Sequence, residues 1–338
     1  MATAKKKDIA SSNGTVLGHP THAMARNEGI PFNTAFFEHI NINKSAVERR
    51  AATLPARRTV KKEWQAAWLL KAISCIDLTT LAGDDTRGNV IRLCAKAKSP
   101  VRMDLLSAMD IADAHLQVGA VCVYHNLIPF AKEGLEGSNI PIAAVSTGFP
   151  AGKISLEDKI TEIKKSVAAG ATEIDIVISR DLVLESKWQE LYDEVALCRK
   201  ACGDAHMKTI LATGEIPTYT KVAKASWVSM MAGSDFIKTS TGKESVNATL
   251  PLSLVMIRTI RAYYELTGFK VGFKPAGGIQ KAKQALDWLI LIKEELGDEW
   301  LNPDLFRFGA SSLLGDIERQ LEHFVTGRYS AGYRHPMA

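Results

Sequence analysis

From about residue 73 one unit recurs along the chain. A helical stretch ends near a glycine, one or two small or polar residues follow, and a short, β-rich apolar run comes next. The clearest copies are Ser166-Val-Ala-Ala-Gly-Ala-Thr-Glu-Ile-Asp-Ile-Val-Ile178 and Ser229-Met-Met-Ala-Gly-Ser-Asp-Phe-Ile-Lys238, with a weaker one at Gln117-Val-Gly-Ala-Val-Cys-Val-Tyr124. A glycine past the last helical turn takes positive φ without a Cβ clash and stops the helix. The run after it is continuously apolar, the pattern of a parallel strand covered on both faces. Eight such runs are expected, near 73–77, 120–124, 141–146, 173–178, 207–212, 235–239, 270–274 and 305–309. Eight parallel strands with helical crossovers in about 250 residues have the size of a (β/α)8 TIM barrel. A doubly wound sheet is the competing α/β arrangement, but it usually carries a glycine-rich turn after its first strand. That position reads Asp77-Leu-Thr-Thr-Leu81 here.

Two helical segments precede the repeat, near 44–58 and 60–72; the second has apolar residues at 60, 64, 67 and 68. The expected organisation is a disordered head over residues 1–44, one barrel with leading helices over 45–330, and a tail at 331–338. The head is rich in small polar residues without a period, so it is expected to be dispensable for catalysis. Charge follows this division. Residues 1–62 hold 11 Lys and Arg against 4 Asp and Glu, while the remaining residues hold 31 against 33. A nearly neutral body offers no basic face for nucleic acid. No apolar run reaches the ~18 residues of a membrane span. Five cysteines without a CxxC pair argue against a disulfide framework and for a reducing compartment. None of the eight histidines pairs with another at a spacing of two or four, so no metal is expected.

Barrels place their working groups at the C-terminal ends of strands. The sixth run ends Asp235-Phe-Ile-Lys-Thr-Ser-Thr-Gly-Lys243 and the seventh Val271-Gly-Phe-Lys-Pro-Ala-Gly-Gly278. Lys238 and Lys274 therefore sit on neighbouring strands about 4.8 Å apart. Either lysine alone fits a side chain reaching to water; the pair fits a site where desolvation and like charge lower an amine pKa until it can attack a carbonyl. Asp175, flanked by Ile174 and Ile176, needs a cationic partner, either as a proton shuttle or as half of a salt bridge. Three loops resemble an anion cradle: Thr241-Gly242-Lys243, Gly277-Gly278, and Gly309-Ala-Ser311-Ser312 before an apolar helix. Ser311 or Ser312 can cap that helix. Asp77 can hydrogen-bond a substrate hydroxyl, and Asp84-Asp85-Thr86 reads as a helix cap.

These segments together resemble the deoxyribose-phosphate aldolases, a class I aldolase family. The carrying strings are Asp77-Leu-Thr-Thr-Leu81, Val121-Cys-Val-Tyr124, Gly148-Phe-Pro-Ala-Gly152, Glu173-Ile-Asp-Ile-Val177, Thr213-Gly-Glu215, Phe236-Ile-Lys-Thr-Ser-Thr-Gly-Lys243, Gly272-Phe-Lys-Pro-Ala-Gly-Gly278 and Phe308-Gly-Ala-Ser-Ser-Leu-Leu314. The resemblance implies reversible cleavage of 2-deoxy-D-ribose 5-phosphate to D-glyceraldehyde 3-phosphate and acetaldehyde, without a cofactor. It implies that Lys238 forms the Schiff base, Lys274 lowers its pKa and Asp175 relays protons. Thr241, Gly242, Lys243, Gly277, Gly278, Ser311 and Ser312 would hold the phosphate, with Thr239 and Asp77 also among the substrate-binding residues. His125 stands where the family commonly has proline. Tyr329 and Tyr333 are both candidates for a C-terminal tyrosine that lies near the site in some members. Another phosphosugar class I aldolase, or a catalytically silent phosphosugar-binding barrel, is the alternative. The expected partner is a small phosphorylated sugar; a homo-oligomer stays open, and the expected compartment is the cytoplasm.

Overall fold

The computed structural model describes residues 25–57 and 59–336. Eight strands, β1 (Ile76–Thr79), β2 (Ala120–Tyr124), β3 (Ile142–Ser146), β4 (Glu173–Val177), β5 (His206–Ile210), β6 (Phe236–Lys238), β7 (Gly272–Lys274) and β8 (Phe308–Ala310), pair in parallel in the order β7-β6-β5-β4-β3-β2-β1-β8. Parallel bridges Phe273 to Phe306 and Ala276 to Gly309 join the two ends, so the sheet closes on itself as a (β/α)8 barrel. The strands overlap all eight expected runs, with the largest shifts at the first and last. Ile73 and Ser74 still belong to the last helical turn before β1, which therefore starts at Ile76.

Twelve α-helices lie among the described residues: α1 (Lys44–Arg57), α2 (Lys62–Ser74), α3 (Arg87–Lys98), α4 (Met103–Ala108), α5 (Ile128–Gly134), α6 (Leu156–Ala169), α7 (Arg180–Leu184), α8 (Trp188–Cys202), α9 (Tyr219–Met231), α10 (Leu250–Thr267), α11 (Ala282–Leu296) and α12 (Ser312–Thr326). Their ends follow local chemistry. At α6 the Ser155 hydroxyl accepts from the Asp158 N–H, acidic residues fill the first turn, and Gly170 at φ 112° closes the helix. None of the described helices is long and apolar enough to cross a membrane.

The N-terminal segment departs from expectation. Residues 1–24 lie outside the described residues, but residues 25–43, read as part of a loose head, pack on the barrel's outer helices. Asn27 is buried; its amide donates to the carbonyls of Met230 and Ser234, and its Oδ1 accepts from the Tyr263 hydroxyl. Phe32 meets Tyr192, Phe36 stacks on Trp227, and Phe37 meets Trp188. The physical reason is that a few aromatic side chains and one fully satisfied amide suffice to anchor an aperiodic stretch.

Candidate active site

The barrel interior is ionic. Asp77 from β1, Glu173 and Asp175 from β4, Lys208 from β5, Lys238 from β6, Lys274 from β7 and Arg307 just before β8 all lie inside it, none more than 3% exposed. Strand register brings them together: Asp175 pairs with Lys208 across β4 and β5, and Lys238 with Lys274 across β6 and β7. One oxygen of Asp175, Oδ2, accepts from Lys238 Nζ at 2.8 Å and from Lys274 Nζ at 2.7 Å. Its other oxygen accepts from Lys208 Nζ at 3.1 Å. Lys274 also donates to Asp77 at 2.5 Å, and Arg307 donates to Asp77 at 2.5 Å and to Glu173 at 2.8 Å. Lys208 closes the circuit on Glu173.

The two expected lysines end in opposite states. Burial pulls the Lys238 ammonium pKa down; the Asp175 carboxylate resists and Lys274 adds to the fall, leaving it below the ordinary lysine value. Burial acts on Lys274 too, but Asp175 and Asp77 outweigh it, so Lys274 is held well above and stays charged. Burial favours a neutral Asp175, yet Lys208, Lys238 and Lys274 together hold its carboxyl far below the usual range. The site therefore contains a lysine biased toward its nucleophilic form beside one locked as a cation.

Two residues expected to meet substrate do not reach the cavity. Asp77 is fully buried, with one oxygen on Lys274 and the other on Arg307. Thr239 is fully buried, and its hydroxyl accepts from the Ala276 N–H at 3.1 Å, tying β6 to the turn after β7. Both support the site from beneath. Lys208 and Arg307 were not singled out in the sequence, because that reading used only strand ends. The signal was available: a lysine inside His206-Met-Lys-Thr-Ile210 and an arginine inside Leu305-Phe-Arg-Phe308 must each find a buried anion.

Above Lys238 opens a cavity of about 230 Å³, lined by Thr241, Gly242, Lys243, Gly277, Gly278, Ser311 and Ser312. The three expected loops thus face one space, with Lys238 at its inner end. Gly277 has φ 80°, and a Cβ there would lie 2.6 Å from Asn247 Cγ, so only glycine lets the two loops meet. Ser311 occupies the N-cap position of α12, but its hydroxyl makes no cap bond, leaving it available to a ligand. The first loop differs from expectation. The N–H groups of Thr241 and Gly242 donate to the Glu244 carboxylate at 3.0–3.1 Å, and that of Lys243 donates to the Thr241 hydroxyl at 3.1 Å. A carboxylate of the chain itself already occupies the amides expected to hold phosphate.

The remaining expectations resolve locally. In Asp84-Asp85-Thr86 the cap of α3 is Thr86, while Asp85 accepts from the Thr80 hydroxyl and the Ala82 N–H. His125 opens a single 3-10 turn leading into α5. Tyr329 and Tyr333 are 69% and 84% exposed beyond the C-terminal end of α12, opposite its Ser312 end at the cavity. Among the described residues no group of three or more His, Cys, Asp or Glu is placed to hold a metal.

Comparison with known proteins matches the same segments. The profile of the DeoC/LacD family aldolases covers residues 71–314. The deoxyribose-phosphate aldolase of Homo sapiens is 58% identical over 316 residues, spanning 93% of this chain and 99% of that protein. The Mus musculus deoxyribose-phosphate aldolase is 60% identical over 312 residues, 92% and 98% of the two chains. A solved tetrameric structure of deoxyribose phosphate aldolase from Aeropyrum pernix, 20% identical, superposes with a TM-score of 0.53 over 83% of this chain and 99% of that one, a likeness of fold. By the profile over most of its length and by identity to full-length relatives, this chain belongs to the DeoC/LacD aldolase family.

Proposed function

We propose that this chain is a deoxyribose-phosphate aldolase in which Lys238 forms the Schiff base with 2-deoxy-D-ribose 5-phosphate. The observation that carries the reading is a buried lysine, depressed in pKa, at the inner end of a cavity whose outer wall is three glycine- and serine-rich loops. The neutral Lys238 amine adds to the C1 aldehyde of the open-chain sugar, and loss of water from the carbinolamine gives the imine. The imine draws electrons from the C2–C3 bond as the C3 hydroxyl loses its proton. Glyceraldehyde 3-phosphate leaves, and an enamine remains on Lys238. Protonation at C2 and hydrolysis release acetaldehyde. Asp175, held as a carboxylate, relays protons, while Lys274 stays charged and lowers the Lys238 pKa. Lys243, Gly277, Gly278, Ser311 and Ser312 hold the phosphate, joined by Thr241 and Gly242 once Glu244 gives way. Five buried, free cysteines support residence in a reducing compartment such as the cytoplasm.

Borohydride reduction in the presence of acetaldehyde tests this directly. The peptide carrying Lys238 should gain mass, turnover of deoxyribose 5-phosphate should survive a chelator, and Lys238→Ala should lose both signals. Turnover of a different phosphosugar alone would point to another class I aldolase. Phosphosugar binding without a trapped imine would point to a silent barrel, and mass on a different lysine would remove Lys238 from the mechanism.

A further inference from the structure

The ionic groups beneath Lys238 form a closed ring of alternating sign. Going round it, Arg307 bonds Asp77, Asp77 bonds Lys274, Lys274 bonds Asp175, Asp175 bonds Lys208, Lys208 bonds Glu173, and Glu173 bonds Arg307. Three cations and three anions alternate, so the ring balances by itself. Lys238 hangs from it as a seventh group through Asp175 alone. Arg307 and Glu173 sit at the N-terminal side of the barrel, away from the cavity that Lys238 lines. They have no access to substrate. The fold nonetheless makes room for them: a Cβ on Gly119 would lie 3.1 Å from Arg307 Cδ and 3.0 Å from the Ser74 carbonyl.

We propose that Arg307 and Glu173 are positioning residues for the Schiff-base lysine: by completing a charge-balanced ring below it, they leave Lys238 as the one surplus cation and so make it the group that gives up its proton. This rests on the reading of Lys238 as the nucleophile. The physical reason is that a dry cluster is most stable at zero net charge, because an uncompensated buried charge has lost its hydration. With Lys238 protonated the cluster holds four cations and three anions; with Lys238 neutral it holds three of each. Lys274 bridges two carboxylates and Lys208 reaches three, whereas Lys238 touches only one, so the proton leaves from Lys238 at least cost. Arginine suits the ring position farthest from the cavity because its guanidinium keeps its charge there and bonds two carboxylates at once.

The groups around Lys238 come from every side of the barrel. They are Asp77 on β1, Cys122 on β2, Glu173 and Asp175 on β4, His206 and Lys208 on β5, Lys274 on β7 and Arg307 before β8; Lys243 stands at the cavity rim. Arg26 approaches the same end as His206, where it donates to the Asp204 carbonyl. Burial pushes the Cys122 thiol up and the His206 imidazole down to about 3, so neither adds charge near neutral pH. The charge balance rests on the six ring members and Lys238.

The test uses charge variants and the acid limb of the kcat/KM profile, which reports ionisation of the free enzyme. Arg307→Gln leaves three cations and three anions with Lys238 protonated; the limb should move to higher pH by about one unit or more, with activity regained in alkali. Glu173→Gln leaves two surplus cations, and the limb should move to lower pH. The double variant Arg307→Gln with Glu173→Gln restores a single surplus cation, and its limb should return to within a few tenths of the wild-type position. It also removes both members of a buried ion pair together, which folds more readily than a variant leaving one member alone. If one single variant does not fold, the other with the double variant decides. Arg307→Lys keeps the charge and should keep the limb. Limbs that do not move, that move in the same direction in both single variants, or that stay displaced in the double variant would overturn the proposal. Borohydride trapping on Lys238 in the wild type is run alongside. Trapping without opposite limb shifts rejects the ring; loss of trapping in the wild type rejects the Schiff-base reading itself.

Discussion

At the scale of single residues, Asp175 is the pivot. One carboxylate serves three lysines, and no arrangement in open water would hold four ionisable groups so closely. Lys274 fastens this pivot to Asp77, so its role is as much structural as electrostatic. Lys274→Met removes a buried ammonium from between two buried carboxylates. The expected loss of stability is about 3–5 kcal/mol, the usual cost of orphaning one partner of a buried pair, read from chemical denaturation. The same variant should also slow catalysis. With Lys274 gone, the unpaired carboxylates favour a protonated Lys238, and activity should recover in part as pH rises. A loss equal at every pH would instead make Lys274 a proton donor or substrate ligand.

At the scale of elements, the site is a meeting of loops, and the loop after β6 carries its own anion. Glu244 neutralises two backbone N–H groups that a phosphate needs, so the unliganded loop is folded and satisfied before substrate arrives. On the proposed function, substrate binding exchanges one anion for another. Glu244→Gln keeps the acceptor oxygen but removes the competing charge. It should lower KM for the phosphorylated sugar by roughly threefold to tenfold, in line with removing one like charge several ångströms from the phosphate. The unphosphorylated sugar should be nearly unaffected. A rise in KM on the phosphorylated sugar would mean that Glu244 shapes the loop rather than competing for it.

At the scale of the whole molecule, the barrel is completed from outside by its N-terminal segment. Asn27 ties that segment to the end of α9 and to Tyr263 on α10. Asn27→Ala leaves two carbonyls and a hydroxyl without their partner and should cost about 2–4 kcal/mol, measured by urea denaturation. The kcat of the folded fraction should not change, because none of these contacts touches the ionic interior. A chain beginning near Lys44 would lose Asn27, Phe32 and Phe37 together. It is expected to lose stability and to keep its chemistry, as the dispensability for catalysis read from composition also requires.

Periodicity and glycine placement determined the barrel from the sequence alone. Repeated helix stops followed by continuous apolar runs admit few folds, and the positions of Lys238 and Lys274 at the ends of neighbouring runs, with Asp175 inside an apolar one, marked them as candidates. The loops facing the cavity were legible for the same reason, since glycines and serines cluster where strands end. The partners were decided only by the closed barrel. Asp77 and Arg307 are 230 residues apart, and no spacing rule joins them; they meet because β8 returns beside β1. Lys208 was legible in mid-strand only as a charge in need of a buried anion; that Glu173 and Asp175 supply it was decided by the pairing of β5 with β4. The N-terminal segment was misread because composition records average hydrophobicity, whereas a handful of aromatic contacts at the right places is a property of three-dimensional packing. A sequence fixes which side chains can face inward; the balance of charge among them, and hence which lysine gives up its proton, exists only after the strands have closed.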